Sequence, residues 1–156
     1  MTRLAEARDF VAELRRDIPL AAFMGLEAVA WDGQALTLQV PLAPNLNDKG
    51  TAFAGSLASL STVTGWALLM LWAREQVGPC QVAVYRGELR YRHPVESTFA
   101  ATARLPSAEA LASLRQRLDS HGRGRVDLDI SLAGVDGQSA VTQTAGYAVW
   151  RVVDAT

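Results

Sequence analysis

Apolar residues recur every three to four positions in two segments, a spacing that predicts amphipathic helices. The first segment covers residues 3–16, with Thr2 placed to cap its N-terminus. The second covers residues 106–120, with Ser107 placed in the same way, and a short turn or helix is expected at Pro19. The positions expected to face inward are Leu4, Phe10, Val11 and Leu14 in the first helix and Leu111, Leu114 and Leu118 in the second.

Alternation of apolar and polar residues, which is typical of half-buried strands, marks most of the remaining chain. Residues 26–42 predict a hairpin that turns at Asp32–Gly33. Residues 125–134 and 139–153 predict a second pair, joined by the turn Val135–Asp136–Gly137. Two further strands are expected over residues 81–93 and 97–105. Within the first of these, alternation puts Arg86, Glu88, Arg90 and Arg92 on one face and Tyr85, Leu89, Tyr91 and His93 on the other.

The segment from Thr51 to Ala73 has no charged residue and is long enough to cross a bilayer, which takes about 20 residues. Serine, threonine and glycine dilute its first half, however, and charges of both signs flank it, so it lacks the positive bias of a membrane span. We therefore predict a buried helix over about residues 54–75. An antiparallel sheet of five to six strands wrapped around this helix, an α+β fold, would cover it on all sides. We expect residues 1–156 to form a single domain.

Composition narrows the class of protein further. Apolar residues make up 49% of the chain and charged residues 20%, which is ordinary for a soluble globular protein. The net charge of -1 gives no electrostatic argument for binding nucleic acid. The single cysteine, Cys80, fits a reducing compartment, and the N-terminus has no secretory pattern, so a cytoplasmic location is expected.

Several catalytic chemistries are not supported by the sequence. It has no G-x-S-x-G motif of an α/β-hydrolase. Two histidines and one cysteine are too few soft ligands for a zinc site. The glycines Gly122 and Gly124 lack a third glycine and precede a strand, so they do not form a dinucleotide loop. We expect no metal and no cofactor.

The entry to the uncharged helix is the strongest chemical signal. Small residues around Gly55 and Ser56 would leave the first-turn amides open to a ligand, and a carbonyl oxygen placed there would be polarised as in an oxyanion hole. Alternatively, the small residues only allow the helix and sheet to pack closely. Ser56, Ser59 and Thr62 follow at intervals of three and form one stripe, whereas Ser61 and Thr64 are expected to bond back to carbonyls four residues earlier. Such back-bonding is the alternative for Ser59 and Thr62 as well.

The same region resembles a known family. The run N-x-x-G-T-x-F-x-G-S-L at the helix entry, Gly65–Trp66 within the helix, and YRHPV after it look like the hot-dog fold superfamily of thioesterases and dehydratases. The chain is in particular similar, over residues 18–152, to the thioesterase domain often found fused behind an acetyltransferase. The resemblance implies a homodimer or dimer of dimers, with an acyl-CoA or acyl-carrier thioester bound at the subunit interface.

The resemblance also indicates where catalytic residues would lie. Related thioesterases commonly carry a carboxylate nine residues after the histidine, or its equivalent, of the entry motif; counted from Phe53, that position is Thr62. Many of these enzymes place a polar residue facing the thioester where this chain has Asn47. Asp48 is the only carboxylate near the helix entry. The alternative is that Asn45, Asn47 and Asp48 form turns, which we favour for Asn45 only.

Candidate substrate-binding residues are Phe53, Trp66, Arg90 and Arg92. Guanidinium groups suit the phosphates of coenzyme A, although such a row is more often a solvated strand face. Trp66 would line an acyl tunnel, or it belongs to the core. We therefore predict an acyl-thioester hydrolase. A non-catalytic acyl-CoA-binding module is the alternative, and a hydratase or dehydratase is disfavoured by Phe53 and Thr62.

Overall fold

The computed structural model describes residues 1–153, so the last three residues of the expected single domain lie outside the described residues. It contains a six-stranded antiparallel sheet and one long helix packed against it, as predicted. Along the sheet the strand order is β1-β2-β4-β5-β6-β3. The strands are β1 Glu27–Trp31, β2 Ala35–Val40, β3 Cys80–Tyr91, β4 Phe99–Arg104, β5 Arg123–Gly134 and β6 Ser139–Arg151. The helices are α1 Arg3–Asp17, α2 Pro19–Met24, α3 Ala54–Gln76 and α4 Ala108–His121.

Both predicted helix caps are present. The hydroxyl of Thr2 accepts a hydrogen bond from the Ala5 amide at 3.1 Å, and that of Ser107 accepts one from the Ala110 amide at 3.1 Å. Each bond satisfies a first-turn amide that has no partner within its helix. The short helix α2 begins at Pro19, whose missing N–H costs nothing at a first helical position.

α3 is the core helix of the fold. In the described part of the chain it has the length and apolar composition of a membrane span. It packs instead against β2 to β6, and Leu60, Leu68 and Leu69 are fully buried. One stripe differs from the prediction of burial on all sides, because the sheet leaves this stripe partly open. Along it Ser59 is exposed, and Thr62, Val63, Trp66 and Met70 are only partly buried.

The close approach of α3 to the sheet depends on Gly65. A Cβ atom at this position would overlap the hydroxyl group of Tyr147, a fully buried residue of β6. That hydroxyl donates a 2.8 Å hydrogen bond to the backbone carbonyl of Thr62. Gly65 therefore makes room for a tyrosine that fixes one turn of the helix.

β3 forms an edge of the sheet and contains an irregularity that the sequence pattern did not reveal. The register against β6 shifts between Val84 and Arg86, which leaves Tyr85 as an extra residue. The Tyr85 ring contacts Gly146 and lies under the Arg125 guanidinium at 4.6 Å. Tyr85 is thus on the outer face of the sheet together with Arg86, and the predicted alternation, which put it with Leu89, is wrong at this point. A bulge of one residue reverses the alternation on one side of it.

Candidate active site

An apolar cavity of about 460 Å³ lies between α2, the open stripe of α3 and the β3 edge. Ile18, Leu20 and Met24 form its wall on the α2 side, and Val84 contributes from β3. Trp66 also lines the cavity, but its indole N–H is directed to the Val82 carbonyl at 2.7 Å. Among the lining residues, the polar groups that remain for a ligand are the hydroxyls contributed by α3, from Ser59 and Thr62.

Thr62 is held from two sides by β6. Its backbone carbonyl accepts the hydrogen bond from Tyr147, and its Oγ1 accepts one from Gln143 Nε2 at 3.0 Å. Its neighbours behave differently, because Ser61 and Thr64 donate to the carbonyls of Leu57 and Leu60 at 2.9 and 2.7 Å, as predicted. Thr62 makes no such bond to the carbonyl four residues earlier. Its hydroxyl is therefore in contact with both the core of the sheet and the cavity.

Gln143 was not recognised from the sequence. It lies on the inner face of β6, where its neighbours in the alternation are apolar, and it is 3% exposed. One signal could have identified it. A single amide in the series Val141, Gln143, Ala145, Tyr147 and Val149 interrupts an otherwise apolar face, and a buried polar group needs a partner.

The α3 N-terminus points its unpaired amides toward the surface. The first helical hydrogen bond runs from Leu57 N to Phe53 O at 3.1 Å, so the amides of the residues between them, including Gly55 and Ser56, have no partner within the helix. The Phe53 ring is 54% exposed and lies directly against Gly55. The aromatic ring of Phe53 thus lies over the N-terminal turn next to Gly55.

The loop before α3 uses the side chain of Asn47 to hold its own shape. Its Oδ1 accepts from the amides of Lys49 and Thr51 at 2.8 and 3.1 Å, and its Nδ2 donates to the Thr51 hydroxyl at 2.7 Å. Asn45 is buried and donates to the carbonyls of Met24 and Pro41, which ties the loop to α2. These bonds fix where α3 begins relative to the cavity wall.

The charged candidates lie away from the cavity within one chain. Asp48 is 2.9 Å from Lys49 Nζ, and its side chain is 82% exposed. Arg90 pairs with Glu88 at 3.6 Å, and Arg92 Nη2 donates to the Thr142 hydroxyl at 3.4 Å. Since Thr142 faces outward on β6, both arginines lie on the face of the sheet opposite α3.

The chain matches a family model described as "Putative thioesterase (yiiD_Cterm)" over residues 7–151. It belongs to this thioesterase family. The fold of this thioesterase is the hot-dog fold, as the resemblance implied. A putative thioesterase from Shewanella oneidensis is 27% identical, with 95% of this chain and 99% of that chain covered and a TM-score of 0.82.

Two other solved structures are similar to this thioesterase over nearly their full lengths. A protein of unknown function from Chlorobaculum tepidum TLS is 28% identical, with coverage of 96% and 98% and a TM-score of 0.88. A protein of unknown function from Pseudomonas aeruginosa, named as a probable thioesterase, is 25% identical, with coverage of 94% of each chain and a TM-score of 0.79. The fold is therefore shared by proteins that retain about a quarter of the same residues.

Proposed function

We propose that this member of the thioesterase family hydrolyses acyl thioesters, with the acyl chain bound in the cavity between α2 and α3. The observation that carries the proposal is the position of the hydroxyls of Ser59 and Thr62 on the wall of an otherwise apolar cavity. Ser59 is one helical turn beyond Gly55, so the two residues lie on the same side of the helix, and the free amides are at the N-terminal end of that side. An acyl chain in the cavity would thus extend toward hydroxyls and then toward amide donors.

Different residues serve different parts of the reaction. The amides of Gly55 and Ser56 polarise the thioester carbonyl oxygen, helped by the positive end of the helix dipole. The hydroxyls of Ser59 and Thr62 hold the attacking water. Phe53 covers the reacting group from the solvent side, and Asn47 acts through the loop whose shape it maintains. The Asp48 carboxylate is directed to solvent in one chain, and we assign it no step.

We further propose a homodimer, or a dimer of such dimers, in which a second copy covers the cavity. Three large apolar residues that line the cavity, Ile18, Leu20 and Val84, are exposed. Phe23 on α2, Phe53 before α3 and Tyr91 on β3 are exposed as well. β3 is a 12-residue edge strand whose backbone groups on one side are unpaired in a single chain. Long exposed edges and apolar patches are usually covered in soluble proteins. A second copy, which brings the same edge and patch, would cover both by symmetry.

The carrier of the thioester, coenzyme A or a carrier protein, would lie outside the cavity. Arg90 on β3 and Arg92 directly after it are our candidates for contacts to its phosphates, because their guanidinium groups are exposed outside the cavity. Changing both to alanine is expected to raise KM for an acyl-CoA and to leave KM for the N-acetylcysteamine thioester unchanged. Arg115→Ala, an exposed arginine on α4, is the control. We place this reaction in the cytoplasm.

Release of free thiol from short, medium, long and aromatic acyl-CoAs tests the function. We expect turnover, and we expect Ala58→Leu, which fills the cavity from α3, to raise KM for the longer chains while short-chain turnover persists. Ala112→Leu on the exposed side of α4 is the matched control. Absence of turnover on every substrate by the folded protein would exclude hydrolysis.

The second candidate is a non-catalytic acyl-CoA-binding module. It is favoured by the absence of a carboxylate among the residues that line the cavity. A binding module would show a rise in Tm with acyl-CoA, since a ligand that prefers the folded state stabilises it, but would release no thiol.

A further inference from the structure

The amide of Gln143 is only half satisfied although it is buried. Nε2 donates to Thr62 Oγ1 at 3.0 Å, whereas Oε1 has no hydrogen-bond partner within residues 1–153. An unpaired buried amide oxygen destabilises the folded state, so its retention needs a reason. Apolar residues of similar length would fit this inner face of β6 without that cost.

The neighbouring strand provides space for this amide. Gly87 on β3 lies beside it, and a Cβ atom there would come within 3.1 Å of Gln143 Nε2. A glycine is unfavourable in the middle of a strand, because it has no side chain to pack. Gly87 thus gives room to a side chain that lies between the edge strand and Thr62.

The bond from Gln143 also decides what the Thr62 hydroxyl can do. A hydroxyl group has one proton to donate and can accept at its oxygen. Because Oγ1 accepts from Gln143 and makes no bond back to its own helix, the proton remains to be donated toward the cavity that Thr62 lines. Thr62 is therefore a donor toward the cavity, and the bond from Gln143 sets this direction.

We propose that Gln143 is a positioning residue for hydrolysis, acting through Thr62 to hold the attacking water. This inference rests on the proposed function. By donating to Thr62 Oγ1, the Gln143 amide directs the hydroxyl proton of Thr62 toward the cavity. The water accepts a hydrogen bond from that hydroxyl, which leaves its second lone pair for the thioester carbonyl carbon. The water oxygen bonds to that carbon and the carbon–sulfur bond breaks, with its electron pair going to sulfur. The proton lost by the water ends on sulfur, so the products are a carboxylic acid and a free thiol, and the amide neither gains nor loses a proton.

The experiment compares kcat and KM for the best acyl-CoA in wild type, Gln143→Met, Thr62→Val, Thr62→Ser and the double variant Gln143→Met/Thr62→Val. We expect each of the first two changes to lower kcat about 100-fold, the order of loss when one catalytic donor is removed, with KM changed less than about twofold. The double variant is expected to be no slower than the slower single variant, because the two groups act as one unit. Thr62→Ser keeps the hydroxyl and is expected to retain most of kcat.

The controls separate a positioning role from a packing role. Gln39→Met makes the same substitution on a half-buried position of β2 and is expected to leave kcat unchanged. Wild-type kcat in folded Gln143→Met, or losses that multiply in the double variant, would overturn the inference and leave the proposed function intact. If Gln143→Met does not fold, unchanged kcat in Thr62→Val, which removes only the hydroxyl, would overturn it as well. Absence of turnover in the wild type would overturn both.

Discussion

Tyr147 carries a phenol group into the centre of the protein, where its hydroxyl donates to the Thr62 carbonyl at 2.8 Å. Burial raises the pKa of this phenol, because the charged phenolate would lose its hydration. The Tyr147 phenol is therefore neutral in the folded protein near neutral pH. Since the same hydroxyl fixes the helical turn that bears Thr62, ionisation would disturb the candidate site and the core together.

We predict that Tyr147 makes the protein sensitive to alkaline pH. Its folded-state pKa is above the unfolded value of about 10, so its contribution to stability is complete below that pH and is lost as pH rises further. Urea unfolding between pH 7 and 11 is the measurement. The free energy of unfolding should fall less steeply above pH 10 in Tyr147→Phe than in the wild type. Parallel curves would contradict the prediction.

At the residue scale the sequence predicted some side-chain roles and missed others. The back-bonding of Ser61 and Thr64 was predictable because it depends on carbonyls four residues away in the same helix. The partner of Thr62 is 81 positions further along the chain, and its bond depends on how β6 lies against α3. The apolar face of β6 marks Gln143 as an interruption, but nothing in the local sequence specifies that its partner is Thr62.

α3 has two glycines at which an added Cβ would meet an aromatic side chain. At Gly65 the neighbour is the hydroxyl of Tyr147, which is buried and hydrogen-bonded. At Gly55 the neighbour is the ring of Phe53, which is half exposed and has room to rotate away. The two glycines therefore differ in whether the neighbour can move.

We predict that Gly65→Ala lowers the free energy of unfolding by about 1–3 kcal/mol, the usual range for overpacking a core. Gly55→Ala is the matched control and is expected to change it by less than about 1 kcal/mol, since Phe53 can move and alanine favours the helix. Chemical denaturation of both variants and the wild type gives the comparison. Equal stability of the two variants would show that the Tyr147 side chain moves aside as easily as the Phe53 side chain.

At the element scale, the predicted helices and hairpins are present because their patterns repeat within short segments. The long helix was expected at residues 54–75 and ends at Gln76. The bulge at Tyr85 was missed, because one extra residue in a strand is defined only by its partner strand. The short helix at Pro19 was predicted. Its position as a wall of the cavity depends on the hydrogen bond from the Asn45 side chain to the Met24 carbonyl.

For the whole molecule, β3 combines an exposed edge, an apolar contribution to the cavity from Val84, and an outer face that carries the ion pairs of Arg86 and Arg90. The apolar residues of the proposed interface come from α2, the loop before α3 and β3, which are far apart in sequence. Sequence reasoning therefore predicted a dimer from the resemblance alone and could not identify its surface.

We predict that Val84→Asp dissociates the dimer, because it places a charge in the proposed interface. Val135→Asp in the exposed β5–β6 turn is the control and should leave the mass unchanged. Sedimentation velocity at micromolar concentration distinguishes the two states. A monomeric wild type would contradict the proposed dimer, and a dimeric Val84→Asp variant would place the interface elsewhere.

Cys80 at the start of β3 gives the protein a built-in chemical reporter. Cys80 is the only thiol in the chain and is 6% exposed. Burial also raises its pKa. A thiol reagent therefore reacts slowly with Cys80 while β3 stays paired with β6, where Cys80 lies opposite Arg151. Its rate of alkylation therefore measures how often this end of the edge strand detaches. A second copy on that edge would protect the thiol in proportion to protein concentration, so subunit association could be followed without attaching any label.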